Sequence, residues 1–227
     1  NGKIIKALAQ PTKQSFLYVL NRETGEPVWP IRERKVIPGD VPGEWYSPTQ
    51  PIPTKPPAFD RQGVTPDDLI DWTPELRKKA LEVASRYRMA PMYTAPIMEK
   101  PEGPWGIINL PGYIGGINWP GGSYDPENHT VYTYSQTNPL TIGGLIPNLD
   151  HKRGEFDYIH ADLPPQNGIR VGDLTVDGLP LIKPPYGRIT ATNLATGTQT
   201  WQVAHGETPD FIRNHPALKG LNIPRTG

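Results

Sequence analysis

The sequence predicts an all-β fold of the β-propeller kind, in which sheets of short strands are arranged around an axis. The chain of 227 residues contains 29 Pro and 23 Gly, which are spread along its length together with 10 Tyr and 6 Trp. This composition indicates many turns between short strands. One strand–turn–strand pattern also occurs near both ends of the chain, and β-propellers reuse such a hairpin in each repeat. We therefore predict a single propeller domain over residues 1–227.

The repeated pattern is a β-hairpin with a glycine turn and a tryptophan on the returning strand. Its copies are FLYVLNRETGEPVWPI at residues 16–31 and RITATNLATGTQTWQV at residues 188–203. At one constant offset the copies share four residues: Asn21 and Asn193, Thr24 and Thr196, Gly25 and Gly197, and Trp29 and Trp201. A glycine after threonine suits the left-handed turn of a short hairpin. We predict that both tryptophans are buried between sheets in equivalent positions.

Between the two copies lies an insertion at about residues 32–112. It begins with VPGEWYSPTQPIPTKPPAFD, in which successive prolines favour an extended path over the surface. A helix is predicted at about residues 74–88, because Thr73 suits the N-cap and Pro74 the first helical position. The residues expected on its apolar face are Leu76, Ala80, Val83, Ala84 and Tyr87. Two interpretations of the insertion remain open, a structural excursion between strands and a lid or partner-docking element.

The stretch GGINWPGGSYDPENHTVYTY at residues 115–134 combines a glycine-rich loop with another hairpin. Asp125 and Asn128 are interpreted as turn residues and not as metal ligands, because Asp-Pro and Asn are what tight turns need. The four glycines allow the backbone to approach another group closely, and they flank Asn118 and Trp119. For the glycine-rich part, a ligand-contacting loop and a tight corner of the propeller both remain open.

Composition and motifs exclude several function classes. The 23 basic and 23 acidic residues cancel and form no basic run, so nucleic acid is not an expected partner. No apolar run approaches the roughly 20 residues of a membrane span. The sequence has no Cys, its five His residues lack metal-ligand spacing, and it contains no Gly-x-Ser-x-Gly motif. Small molecules or proteins remain as the expected partners.

Four ordered segments resemble consecutive parts of the pyrroloquinoline-quinone (PQQ)-dependent dehydrogenases, and most of all the membrane-type quinoprotein glucose dehydrogenases. They are AQPTKQSFLYVLNRETGEPVWPI, GEWYSPTQPIPTKPPAFDRQGVTPDDLIDWTPELR, GGINWPGGSYDPENHTVYTY and ITATNLATGTQTWQV. The resemblance covers nearly the whole chain. It implies a partial β-propeller, with several blades of an eight-bladed ring, in a periplasmic enzyme. Such an enzyme oxidises a sugar or an alcohol with PQQ and Ca²⁺, and passes electrons to a quinone or a cytochrome.

The resemblance also implies roles for individual residues. Lys13, in the segment PTKQ, matches a cation beside the quinone oxygens, where it would stabilise the negative charge of the reduced cofactor. Asn118 matches an amide that contacts the cofactor, and Trp119 is its neighbour in the loop. Trp29 and Trp201 match structural tryptophans that dock the blades. Lys13, Asn118 and Trp119 are therefore the expected PQQ-binding residues.

The resemblance assigns no catalytic residue and no metal ligand to this chain. In the family, the catalytic Asp and the Ca²⁺ ligands lie upstream of the position that matches Lys13, and Asp40, Asp60 and Asp125 do not match the catalytic position. We therefore expect an inactive internal fragment, the cofactor-contacting middle portion of a PQQ-dependent sugar or alcohol dehydrogenase. Open sheet edges are expected to favour self-association. The alternative is a non-catalytic β-propeller that serves as a binding or assembly module.

Overall fold

The computed structural model describes residues 4–161 and 173–227 and consists mainly of short strands. Residues 1–3 and 162–172 of the predicted domain lie outside the described residues. The strands are β1 (Ala7–Pro11), β2 (Leu17–Asn21), β3 (Ile31–Lys35), β4 (Thr49–Pro53), β5 (Arg88–Met89), β6 (Gly106–Asn109), β7 (Gly122–Asp125), β8 (Thr130–Gln136), β9 (Leu140–Gly143), β10 (Leu145–Pro147), β11 (Tyr158–His160), β12 (Thr175–Val176), β13 (Leu179–Pro180), β14 (Gly187–Asn193) and β15 (Thr198–Ala204). The helices are α1 (Pro74–Ala84) and α2 (Asp210–Arg213), with short 3-10 turns at Pro66–Asp68, Leu149–His151 and Pro216–Leu218. This strand-rich architecture confirms the predicted all-β class.

Four strands form an antiparallel sheet in the order β7, β8, β14 and β15. The central pair β8 and β14 stays in register from Gln136 opposite Gly187 to Thr130 opposite Asn193. β14 is buried along most of its length, whereas β15 is largely exposed. A four-stranded antiparallel sheet is the unit from which propeller blades are built. The structure thus contains a four-stranded blade, as expected for a partial propeller.

The glycine turns of the two repeats have the same geometry. Gly25 donates its N–H to the carbonyl oxygen of Asn21, and Gly197 donates its N–H to that of Asn193, both at 2.8 Å. The φ angles of the two glycines are 77° and 69°, in the left-handed region that glycine adopts without a side-chain penalty. The turn chemistry predicted from the repeat is therefore confirmed. After the first turn only an isolated bridge forms, so the first hairpin is shorter than predicted.

The repeated tryptophans occupy different environments, and the prediction that both are buried between sheets is wrong. Trp201 is 45% exposed on β15, and its ring lies against Tyr132 with the centroids 5.7 Å apart. Trp29 is partly buried beside a small core that contains Leu17, and its indole lies against Gly197 in the turn of the other repeat. The environments differ because Trp201 lies on the largely exposed edge strand β15, whereas Trp29 lies in a bend between β2 and β3.

Helix α1 begins at Pro74, as the sequence predicts, but ends at Ala84 instead of about residue 88. The Thr73 hydroxyl accepts a hydrogen bond from the Leu76 N–H at 3.2 Å and caps the helix. The helix ends early because β5 follows it closely and pairs in parallel with β6. On the predicted apolar face, four residues are buried and Val83 is partly buried; the four are Leu76, Ala80, Ala84 and Tyr87.

A second excursion, between β8 and β14, packs against the first one. Its strand β9 pairs with β6 of the insertion, and Leu69 forms a bridge with Ile182. The two excursions and the C-terminal region share the largest apolar core, which includes Leu76, Ala80, Trp105, Ile108, Val176, Leu179, Ile212 and Leu218. The sequence predicts only the first excursion, because strands of two to four residues carry little periodic signal.

Candidate functional site

Lys13 lies in a tight turn that connects β1 to β2. Thr12 donates its N–H to the Phe16 carbonyl oxygen at 2.9 Å, and Ser15 donates its N–H to the Thr12 carbonyl oxygen at 2.7 Å. Ser15 has a φ of 65° and is fully buried, whereas Lys13 is exposed. The Lys13 ammonium forms no ion pair or hydrogen bond with any residue that the structure describes. The turn therefore presents an unpaired cation beyond the end of β1.

The glycine-rich loop packs directly against the Lys13 turn. Gly116 donates its N–H to the Lys13 carbonyl oxygen at 2.9 Å. A Cβ at Gly115 would lie 2.8 Å from the Lys13 Cβ, and a Cβ at Gly116 would overlap the Ser15 hydroxyl. The two glycines are thus needed for the close approach of the two loops. At these positions the structure supports the interpretation as a tight corner, because the backbone approaches another part of the same chain.

Asn118 and Trp119 lie on the exposed side of the same loop. The Asn118 amide nitrogen donates to the Ile114 carbonyl oxygen at 3.3 Å, and its Oδ1 accepts from the Trp119 N–H at 2.9 Å. A carboxamide has two donor hydrogens and two acceptor lone pairs, so Asn118 retains capacity for a further partner. Trp119 is 91% exposed. The structure brings the loops of all three predicted residues together, and their role in binding PQQ stays a prediction.

The second half of the stretch forms the hairpin of β7 and β8. At its turn, the Asp125 carboxylate accepts hydrogen bonds from the Asn128 side-chain amide at 2.8 Å and from the Glu127 N–H at 2.9 Å. The Asn128 hydrogen bond, followed by that from Glu127, lowers the pKa of Asp125 below its ordinary value. Asp125 and Asn128 thus serve the turn, which confirms their interpretation as turn residues.

A buried ion pair that the sequence does not predict lies beside the Lys13 turn. Asp60 Oδ1 and Arg188 Nη1 are 3.3 Å apart, and their side chains are 1% and 6% exposed. The Thr137 hydroxyl lies 2.9 Å from Asp60 Oδ1 and 2.6 Å from Arg188 Nη2. Burial lowers the pKa of Arg188 below its ordinary value, and Asp60 acts in the opposite direction. In the sequence, the ion pair is indicated only by an arginine in the otherwise uncharged segment GRITATN. The partner of this arginine cannot be identified from that segment.

A groove of about 970 Å³ runs along β1 and β7, and apolar side chains form much of its wall. They include Leu8, Val19, Trp29, Val131 and Leu194. None of the three expected PQQ-binding residues lines the groove. Because its wall is mainly apolar, the groove is typical of a surface that packs against further protein and not of a site for a polar cofactor.

The described residues offer a set that fits PQQ, but none that is assigned to Ca²⁺, the other expected cofactor. The described ranges contain no group of three or more His, Cys, Asp or Glu side chains that would hold a metal ion, so no described residue is assigned to Ca²⁺. By contrast, an ammonium, a carboxamide and an indole are exposed on adjoining loops. This set fits a planar anionic quinone, which needs a cation and hydrogen-bonding groups at its rim.

No helix within residues 4–161 and 173–227 combines the length and the apolar character that crossing a membrane requires.

The chain is similar to known proteins along nearly its whole length. The family model described as "PQQ: Glucose/ethanol/alcohol dehydrogenase, beta-propeller domain" matches residues 1–226. The glycerol dehydrogenase large subunit of Gluconobacter thailandicus is 29% identical over 220 residues, which cover 89% of this chain and 29% of that protein. The probable quinate dehydrogenase (quinone) of Xanthomonas campestris pv. juglandis is 30% identical over 220 residues, or 92% of this chain and 27% of that protein. The quinoprotein glucose dehydrogenase of Escherichia coli (strain K12) is 27% identical over 230 residues, which cover 93% of this chain and 27% of that protein.

The chain spans less than a third of the length of each of these relatives. The family match nevertheless includes both hairpin repeats, both excursions and the Lys13 and Asn118 loops. It confirms the resemblance that the four sequence segments indicate. The chain therefore belongs to the family of the PQQ-dependent glucose, ethanol and alcohol dehydrogenases, and its fold is that of their β-propeller domain.

Proposed function

We propose that this chain is the cofactor-contacting middle portion of a PQQ-dependent sugar or alcohol dehydrogenase. The observation that carries the proposal is the contact between the Lys13 turn and the loop that bears Asn118, two segments far apart in the sequence. This contact places an unpaired ammonium and a carboxamide on adjoining loops. The names of the relatives, which are dehydrogenases of glucose, glycerol and quinate, support a hydroxyl-bearing substrate.

Each of the three residues has a distinct chemical task in this proposal. Bound PQQ supplies an acceptor for two electrons from the substrate, with negative charge on its quinone oxygens. Lys13 holds a fixed positive charge beside these oxygens and stabilises the reduced form more than the oxidised form. Asn118 donates its remaining amide N–H to the cofactor rim, and Trp119 offers a flat face that shields one side of the site from water. The base and the Ca²⁺ ligands come from outside these 227 residues, as the family resemblance implies.

We further propose a periplasmic location, a quinone or a cytochrome as electron acceptor, and contact with further protein along the open strand edges. The family resemblance supports the location and the acceptor, and the quinate dehydrogenase relative carries the word quinone in its name. Among the described residues, β1 pairs only with β2 and β7 only with β8, which supports contact along their free edges.

The test is equilibrium binding of PQQ to the full-length protein that contains this sequence. Lys13→Ala should weaken binding more than tenfold, because a charge-assisted contact contributes about 1.5 to 3 kcal/mol. Lys35→Ala is the matched control, since Lys35 is also an exposed lysine and has no ion pair in the described part of the chain. Equal affinities of wild type and Lys13→Ala contradict the proposal. A wild-type protein that does not bind PQQ favours the alternative of a non-catalytic binding or assembly module.

A further inference from the structure

The turn between β1 and β2 is held on a second side by residues 58–62, which we call the bridge segment. Phe59 donates its N–H to the Ser15 carbonyl oxygen at 2.9 Å. The side-chain amide of Gln62 donates to the Gln14 carbonyl oxygen. Together with the hydrogen bond from the glycine-rich loop, these contacts engage three successive carbonyl groups of the turn. The backbone from the Lys13 carbonyl to the Ser15 carbonyl is therefore fixed by other parts of the chain.

The bridge segment is itself fixed to the four-stranded blade. The Phe59 carbonyl oxygen accepts a hydrogen bond from the Gln202 side-chain amide at 3.0 Å, and the Ala58 carbonyl oxygen accepts one from the Gln199 amide at 2.9 Å. Next to them, Asp60 is buried in its ion pair with Arg188. A shift of the segment would leave these buried charges without partners, which is costly. The turn is therefore linked through the bridge segment to a rigid sheet.

From this geometry we propose that Gln62 is a positioning residue for Lys13. Its amide fixes the Gln14 peptide and thereby the backbone from which the Lys13 side chain extends. Because the Lys13 ammonium has no partner within the described residues, its own contacts do not hold it in place. The position of its backbone then decides where the charge lies relative to a ligand. The inference rests on the proposed function, in which Lys13 faces PQQ.

The test compares two variants of the full-length protein, Gln62→Met and Gln199→Met. Both glutamines are partly buried, and both donate a side-chain amide to backbone carbonyls, but only Gln62 reaches the Lys13 turn. Gln62→Met should weaken equilibrium binding of PQQ about tenfold, since a displaced ammonium loses most of the charge-assisted contact that Lys13→Ala removes entirely. Gln199→Met should stay within about twofold of wild type, because it leaves the Gln14 carbonyl hydrogen-bonded and the contacts of Gln202 and Arg188 still hold the bridge segment.

A second measurement requires no cofactor. Amide hydrogen exchange of the Ser15 and Gly116 N–H groups, which both donate within the site, should be several-fold faster in Gln62→Met than in wild type or Gln199→Met. Gln62→Glu keeps the size of the side chain but places an acceptor opposite the Gln14 carbonyl. It should reproduce both effects, and it replaces Gln62→Met if that variant fails to fold.

The outcomes separate this inference from the proposed function. A wild-type protein that does not bind PQQ contradicts the proposed function, and the inference with it. If wild type binds PQQ and the Gln62 variants bind it equally well, the inference alone is wrong. Faster exchange with unchanged affinity also overturns it, because Gln62 then stabilises the turn without positioning Lys13. If the amide exchange rates in the Gln62 variants equal those of wild type, this side chain does not hold the turn, and the inference is wrong.

Discussion

The hydroxyl of Ser15 occupies the space that a Cβ atom on Gly116 would need. Ser15 is fully buried, has a φ of 65°, and its hydroxyl has no hydrogen-bond partner among the described residues. The two loops of the candidate site thus fit together because position 116 carries no side chain. At this junction, Gly116 packs closely against Ser15, and Ser15 has a backbone conformation that glycine adopts more readily than serine.

Replacing Gly116 by alanine should disrupt this junction. We expect Gly116→Ala to lower the free energy of unfolding by about 1 to 3 kcal/mol, because the added methyl group overlaps the buried Ser15 hydroxyl. Ser15→Gly should restore much of this loss in the double variant, since it removes the obstructing oxygen. Urea unfolding of both single variants and the double variant gives the coupling between the sites. A double variant as unstable as Gly116→Ala would contradict the prediction.

The two repeat glycines should respond differently to the same substitution. Gly25 and Gly197 both have positive φ angles, so alanine at either position costs about 1 to 2 kcal/mol through the backbone. At Gly25 a Cβ would meet no atom within 4 Å, whereas at Gly197 it would lie 2.7 Å from the Trp29 indole. We expect Gly197→Ala to be the more destabilising by about 1 kcal/mol or more in urea unfolding. Equal losses would show that the Trp29 contact adjusts freely.

The buried ion pair should be far more sensitive to mutation than an exposed one. Removing one partner, as in Arg188→Met, should cost about 3 to 5 kcal/mol because it leaves Asp60 charged and buried. Combining Asp60→Asn with Arg188→Met should cost less than the sum of the two single changes. The exposed pair of Lys6 and Glu23 is the control, and Lys6→Met should cost less than about 1 kcal/mol. Additive losses at Asp60 and Arg188 would mean that the pair does not act as a unit.

The partly buried phenol of Tyr186 should make stability depend on alkaline pH. Burial raises its pKa from 10.0 to about 12, with Arg61 acting in the opposite direction. As the pH rises, the unfolded state therefore loses this proton before the folded state does. The contribution to stability is fully present below pH 10 and is lost as the pH rises towards 12. Tyr186→Phe should flatten this part of the stability profile, measured by chemical unfolding across that range, and a profile identical to wild type would contradict the assignment.

The isolated 227-residue chain should not oxidise sugars or alcohols. In the proposed function, the base and the Ca²⁺ ligands come from outside these residues, so proton abstraction from the substrate lacks a catalyst. The measurement is dye reduction by the purified chain with added PQQ, Ca²⁺ and either glucose or glycerol, with a known PQQ-dependent dehydrogenase as the positive control. Dye reduction above the rate without protein would show that a base is present within the chain.

The sequence predicts local features of this fold better than their long-range partners. The Gly25 and Gly197 turns and the start of α1 at Pro74 follow from nearby residues, and the structure contains all three. The predicted burial of Trp201 is wrong, because the exposure of a strand depends on whether another sheet packs over it. The partner of Arg188 and the contact of Gln62 with the Lys13 turn were missed, since pairs so distant in the chain leave no periodic signal in one sequence.

The shared core imposes an order on folding during synthesis. The apolar face of α1 packs with residues that are translated much later, beginning roughly 90 residues after Ala84 at Val176 and continuing to Leu218. At about 5 to 20 residues per second, the ribosome needs roughly 5 to 20 s to complete that interval. During this time the helix face has only the insertion itself to cover it. Slower translation between α1 and β12 would prolong this exposure, and with it the period in which the nascent chain is open to aggregation or chaperone binding.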